Sequence, residues 1–264
     1  ARALLRALDG APNLQRVALV GCGLSGAKLA AGTTDVGRGF ANLTEVNVSD
    51  NPSLGAKGLA KVLGDGTTGG CKALKRLEAR NVGALKAPPL DKRWAATLVH
   101  LDVAKSDLGR PGSEVLGGFL GVAACLETLC VASANLHFAA ALDRVAANGK
   151  LHKSLKMVDA SLNRVGDDIK HAAALGHVAH KCERLERLAL VKCELPLNAL
   201  DGVLAGCAAR RPDFAGVDLF LGDNAMAAKH GALFFKSLNR APQAPPVALR
   251  ALYLDRTHLG TLAI

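Results

Sequence analysis

The feature that most constrains this chain is a spacing. Leu14, Val17, Leu19 and Leu24 enclose Cys22, and the same offsets return along the whole sequence. The second copy is Leu43, Val46, Val48, Asn51 and, after one extra residue, Leu54; a degenerate third is Leu74, Leu77 and Ala79, with Asn81 or Val82 at the polar position. Copies four to seven place Ser106, Ala134, Asn163 and Cys193 there, and the eighth and ninth place Asn224 and Thr257. Measured at residues 19, 48, 79, 103, 131, 160, 190, 221 and 254, the intervals run from 24 to 33 residues. Nine matches at so narrow a period are not chance, and a period of this size means a stack of like units rather than one closed core.

Each part of the unit has a physical reason. Alternation over five or six residues is a short strand with one face inward, and successive strands stack as a parallel sheet. The Asn, Cys, Ser or Thr that follows sits where the chain turns inward, and its side chain can satisfy backbone groups that the turn would leave unpaired. Between strands, stretches such as Gly58–Leu63 and Val115–Leu120 have helical spacing. A helix wider than the strand it follows bends the stack. The pattern therefore predicts an α/β leucine-rich-repeat solenoid, a horseshoe arc of about nine repeats with parallel strands on the concave face and helices on the convex face.

The shortest interval should be irregular. After Ala79 the chain reads NVGALKAPPLDKRWAAT, where Pro88 and Pro89 forbid an ordinary helix, and Trp94, the sole tryptophan, is expected to cover the gap. A second proline-rich connection, APQAPPV at 241–247, should bulge from the helical side. With 7 Phe, 1 Trp and 1 Tyr, the core must be made of Leu, Val and Ala in many similar layers, which also favours repetition.

The net charge is +10, which suits an anionic membrane surface or an acidic protein. Lys and Arg are scattered without interleaved aromatics, so the stacking platform of a single-strand nucleic-acid binder is missing and no nucleic acid is expected as partner. Seven cysteines make an odd count without the dense framework of a secreted domain, and are read as reduced thiols of a cytoplasmic protein. Residues 1–10 read as part of a helix rather than a signal peptide, and the chain reads as a single repeat domain cut from a longer protein.

Three sharper motifs compete with blander readings. Gly21-Cys22-Gly23-Leu24-Ser25-Gly26 is a G-x-G-x-x-G after a strand-like run, as in dinucleotide-binding enzymes, but the same strand and turn recur without those glycines, so repeat glycines are the expectation. His177, His180 and Cys182 suggest zinc, with exposed helix residues the stronger reading because no second ligand pair follows. Glu45, Glu78, Asp102, Asp159 and Asp218 should line up in a row on the strands, as a solvated face rather than paired catalytic carboxylates. No catalytic residue, metal or cofactor is expected, and the chain reads as a non-enzymatic scaffold for protein partners, with a second copy of itself a further candidate.

The alternation assigns the outward strand positions. Arg80, Asp102, Lys105, Asp159, Lys192, Phe220, Tyr253 and Arg256 are the expected contact residues, with Phe220 and Tyr253 as anchors because buried aromatics dominate interface energies. Beyond the general class, LERLALVKCELPLNALDGVLAG (185–206) and FAGVDLFLGDNAM (214–226), with LTEVNVSDNPSLGAKGLAKVL (43–63) in the shared style, resemble the ribonuclease-inhibitor-like repeats of the CARMIL family, regulators of actin capping protein. Pro88, Pro89 and Ala134 depart from that family's regularity. The resemblance implies a scaffold at the cell cortex, associated with the plasma membrane and the actin cytoskeleton. A GTPase-activating, innate-sensor or axonemal repeat scaffold is the alternative setting.

Overall fold

The computed structural model describes residues 11, 13–30, 42–64, 70–166, 168–211, 213–214, 216–224 and 249–257. The expected helix at 1–10, Met226 and the 241–247 connection lie outside them. Nine strands form one sheet whose spatial order is the chain order: β1 (Arg16–Ala18), β2 (Glu45–Asn47), β3 (Arg76–Glu78), β4 (His100–Asp102), β5 (Thr128–Cys130), β6 (Met157–Asp159), β7 (Arg187–Ala189), β8 (Val217–Phe220) and β9 (Leu249–Tyr253). Every neighbouring pair is parallel. Parallel neighbours require each connection to return across the sheet before the next strand starts, and the described connections do so with α1 (Gly26–Ala30), α2 (Gly55–Leu63), α3 (Gly109–Leu120), α4 (Phe138–Leu142), α5 (Gly149–His152), α6 (Ile169–Lys181) and α7 (Leu197–Ala208). The arrangement is α/β and solenoid-like.

The register makes one continuous ladder. Val17, Val46, Leu77, Leu101, Leu129, Val158, Leu188, Leu219 and Leu252 are successive partners, and all point to the side where the helices lie. Leu77, Leu101, Leu129 and Leu188 are fully buried in a core shared with Leu59, Leu116, Leu175 and Leu204 of the helices. At about 25 cal/mol per Å² of apolar area this spine supplies the main favourable term.

Past each strand the chain makes the same turn. The residue four beyond the strand's ladder position is left-handed in all nine copies: Gly21, Asp50, Asn81, Lys105, Ser133, Leu162, Lys192, Asp223 and Arg256. In eight of the nine copies the next residue is buried and points inward; in the first, Cys22, expected at the inward polar position, is exposed instead. Asn163 shows why the inward residue is polar: Oδ1 accepts the N–H groups of Ala134 and Leu136 at 2.9 Å, while Nδ2 donates to the carbonyls of Val131 (2.8 Å) and Ala160 (2.9 Å). One amide thereby closes its own turn and ties it to the preceding unit. Asn51 and Asn224 do the same, and Ser106 accepts from Val82 N–H and donates to Ala79 carbonyl. In the degenerate third copy Val82, not Asn81, takes the inward position and is buried, while Asn81 is the left-handed residue.

Between β3 and β4 the proline-bearing connection holds a 3-10 helix, Lys92–Ala96, capped by the Asp91 side chain on Arg93 N–H. Trp94 is buried there, its indole N–H donating to Cys71 carbonyl at 2.6 Å, so it fills the short connection as its spacing suggests.

Candidate interaction surface

The side chains flanking each ladder position form two rows on the sheet face turned away from the helices. Within β1–β4 these rows are mostly polar, and Glu78 and Asp102 are held by arginines of the chain, while Arg16 and Glu45 have no ion-pair partner among the described residues. Arg76 binds Glu78 through Nε at 2.6 Å, Asn47 Nδ2 donates to the same carboxylate, and Arg80 Nη2 reaches Asp102 at 3.2 Å. Asp102 is only 8% exposed and its other oxygen accepts Ala104 N–H at 2.9 Å. Burial and the Arg76 charge hold the His100 imidazole below its ordinary pKa, so it is neutral in this ion-paired setting.

From β5 onward one row turns mainly apolar around Asp159, while the other still carries Arg187 and Asp218. In the first Cys130, Asp159, Ala189, Phe220 and Tyr253 succeed each other across the strands, with Met157 in the other. The Phe220 and Tyr253 rings are stacked, centroids 4.2 Å apart and 4° from parallel, and the Arg187 guanidinium lies 4.2 Å from the Phe220 centroid on its other side. Strand register alone produces this: Phe220 and Tyr253 are direct partners, and Arg187 leans across from β7. Stacks of this kind keep aromatic area presented at low entropic cost to a partner. Tyr253 remains 41% exposed. Beside the stack, Arg250 holds Asp218 by two hydrogen bonds of 2.7 and 2.6 Å and keeps that carboxyl below the usual carboxylate range. Cys130 is pushed up to about 12 by burial and then by Asp102 and Asp159, so it stays a thiol.

The expected contact residues do not form one group. Asp159, Phe220 and Tyr253 stand on the strand face as anticipated. Asp102 also faces outward but is a buried partner of Arg80 rather than a free contact group. Arg80, Lys105, Lys192 and Arg256 are not strand residues: Arg80 lies in the turn after β3 and is paired with Asp102, the other three occupy the left-handed turn beyond the strand ends, and Arg256 is engaged by Asp223 at 2.7 Å. The acidic row is a correction too. The register puts Glu45 and Asp218 in one row and Glu78, Asp102 and Asp159 in the other. Cys130, Met157 and Ala189 were missed as surface elements; an apolar residue at an outward position was the signal available.

The other motifs take structural places. Gly21 and Gly23 have positive φ of 62° and 63° at repeat turn positions, and a Cβ on Gly26 would stand 2.4 Å from the Leu54 carbonyl oxygen of the next unit. His177 and His180 are half-buried rather than exposed, because α6 packs against α7, and Cys182 is buried with its pKa pushed up to about 12 by desolvation. Among the described residues no group of three or more His, Cys, Asp or Glu is placed to hold a metal ion. All seven cysteines are free thiols. Among the described residues no helix is long and apolar enough to cross a membrane.

Comparison with known proteins adds no family: no protein-family model matches the chain, and no curated protein matches it.

Proposed function

We propose that the chain is a leucine-rich-repeat arc of nine units that works as a non-enzymatic scaffold, holding a protein partner on its open, concave sheet face. The observation that carries this reading is the Arg187–Phe220–Tyr253 stack on an otherwise small-residue stretch of sheet. Aromatics and arginine at the centre of a patch of this kind dominate binding energies elsewhere, while exposed ion pairs contribute little. The setting suggested by the sequence resemblance is a cytoplasmic regulator of actin capping at the cell cortex. Affinity capture with the wild-type chain and with the Phe220→Ala/Tyr253→Ala double variant tests it. Loss of a specific partner with the variant is expected; undiminished recovery would remove this patch as the contact surface.

A second reading rests on a different edge. Lys72, Lys75, Lys92, Lys150, Lys153 and Lys181 are exposed, have no ion-pair partner among the described residues, and lie where the chain enters β3, β4, β6 and β7. A row of lysines suits attraction to an anionic bilayer. Co-sedimentation with phosphatidylserine vesicles should then be strong at low salt and fade as the ionic strength approaches ~0.15 M, where screening acts within about 8 Å; absence of binding at low salt would discard it.

A further inference from the structure

The partner's chemistry at this surface can be narrowed through Asp159. The outward carboxylates Glu78, Asp102 and Asp218 each hold an arginine of the chain, whereas Glu45 on β2, like Asp159, has no ion-pair partner among the described residues. Asp159 has no cation within ion-pair distance among the described residues: its row neighbours are Cys130 and Ala189, and its single hydrogen bond is Oδ1 accepting Ser161 N–H at 3.1 Å. The nearest strand arginine, Arg187, sits cross-strand from Met157 and has its guanidinium over Phe220 instead.

Apart from Arg187, the side chains around this carboxylate are small or apolar. Ala189 is 3% exposed and leaves a floor without side-chain bulk, with Met157 and Phe220 beside it. Leu162, three residues along, is the only aliphatic residue among the nine left-handed turn positions, and it is 49% exposed. Branched aliphatic side chains rarely adopt φ near 58°, the value found here, and this one is not spent on the core. A half-buried carboxylate with one oxygen unengaged, bordered by small and apolar groups, is complementary to a basic side chain flanked by apolar ones.

We infer that the β5–β8 stretch of the open face takes a partner segment carrying an arginine or lysine between apolar residues, the cation pairing with Asp159 and the apolar groups resting on Leu162, Ala189 and Phe220. This rests on the scaffold reading above and specifies its partner. The assignment runs against the chain's overall charge of +10, which by itself would draw acidic segments.

Selection of a displayed library of random twelve-residue peptides on the immobilised full chain is the test, followed by fluorescence anisotropy of the enriched peptides on wild type, Asp159→Asn, Glu45→Gln and the Phe220→Ala/Tyr253→Ala double variant. Asparagine keeps the acceptor for Ser161, and circular dichroism checks that each variant is folded. The expected result is enrichment of Arg or Lys beside Leu or Phe, with affinity lowered about tenfold or more by Asp159→Asn, as truncation of a charge partner does, and unchanged by Glu45→Gln. Acidic consensus peptides, or binders weakened by the aromatic double variant but indifferent to Asp159→Asn, would overturn this inference and leave the scaffold reading standing. Binders indifferent to both, or no enrichment at all, would overturn the two together.

Discussion

The two halves of the open face are built on one ladder and differ in what the ladder carries. In β1–β4 three of the five outward strand charges are held inside the chain, in Arg76–Glu78 and Arg80–Asp102, with Arg16 and Glu45 left without an ion-pair partner among the described residues. In β5–β9 one outward row is Cys130, Asp159, Ala189, Phe220 and Tyr253, with Asp159 unpaired among the described residues and two rings stacked, while the other row carries Arg187 and Asp218. The backbone is the same in both, down to the left-handed turn residue. What differs is the free energy left over for something else: groups already satisfied inside the chain gain little from a partner, whereas aromatic area and an unpaired charge gain much.

This contrast can be broken in several ways. The largest effects should ignore it. Leu77→Ala in the charged half and Leu188→Ala in the apolar half each remove a fully buried ladder residue, and each should cost ~2–5 kcal/mol in chemical denaturation. A cost confined to one half would mean the spine is not continuous. Binding effects should instead follow the contrast: Phe220→Ala should lower partner affinity by ~2 kcal/mol or more in titration calorimetry, as central aromatic anchors do, while leaving the ladder intact.

Asn51→Ala and Asn163→Ala, one from each half, should each lose ~1–3 kcal/mol of stability, since buried turn groups would be left without their bonds. A neutral Asn163→Ala would put the turn register in error. Arg80→Ala should cost only ~1 kcal/mol, its guanidinium being half exposed, and should leave partner affinity unchanged.

The smallest effect is a pH dependence at the seam between α4 and α6. His171 Nδ1 lies 2.6 Å from the Val165 carbonyl oxygen, which can only accept, so Nδ1 carries the proton and Nε2 offers its lone pair to His137 Nε2–H at 3.4 Å. His137 Nδ1 in turn accepts Ala140 N–H and caps α4. A proton added to His137 Nδ1 breaks its cap on Ala140 N–H, and burial followed by the His171 charge lowers the His137 pKa. The folded form therefore resists protonation more than the unfolded chain. The contribution is fully present above the unfolded histidine pKa, roughly 6.5, and is lost as pH falls below it toward the lowered folded value. Denaturation midpoints at successive pH values should show this decline, and His137→Asn should flatten it; an unchanged slope would contradict the tautomer assignment.

Much of this was legible in the sequence. Strand positions followed from spacing, because a side-chain period of two over an inward ladder leaves few registers, and Asn51, Asn163 and Asn224 announced the turn by being polar where the pattern is apolar. Phe220 and Tyr253 share an offset from Leu219 and Leu252, so their adjacency was implicit too. What the spacing could not carry was which charges find partners. Arg80 reaching Asp102, and Arg187 turning to Phe220 instead of Asp159, are choices of long side chains made in three dimensions. Nor does any pattern announce Arg210, whose guanidinium donates to the Ala179 and Cys182 carbonyls at 2.7 and 2.8 Å and caps the end of α6.

The proposed partner contact lies on the β5–β9 half of the open face. A photo-crosslinking amino acid placed singly at 157, at 45 and at 115 on α3 samples the apolar half, the charged half and the helical side. Adducts with one partner from position 157, and none from 45 or 115, are predicted. Adducts mainly from 45 or 115 would contradict the account.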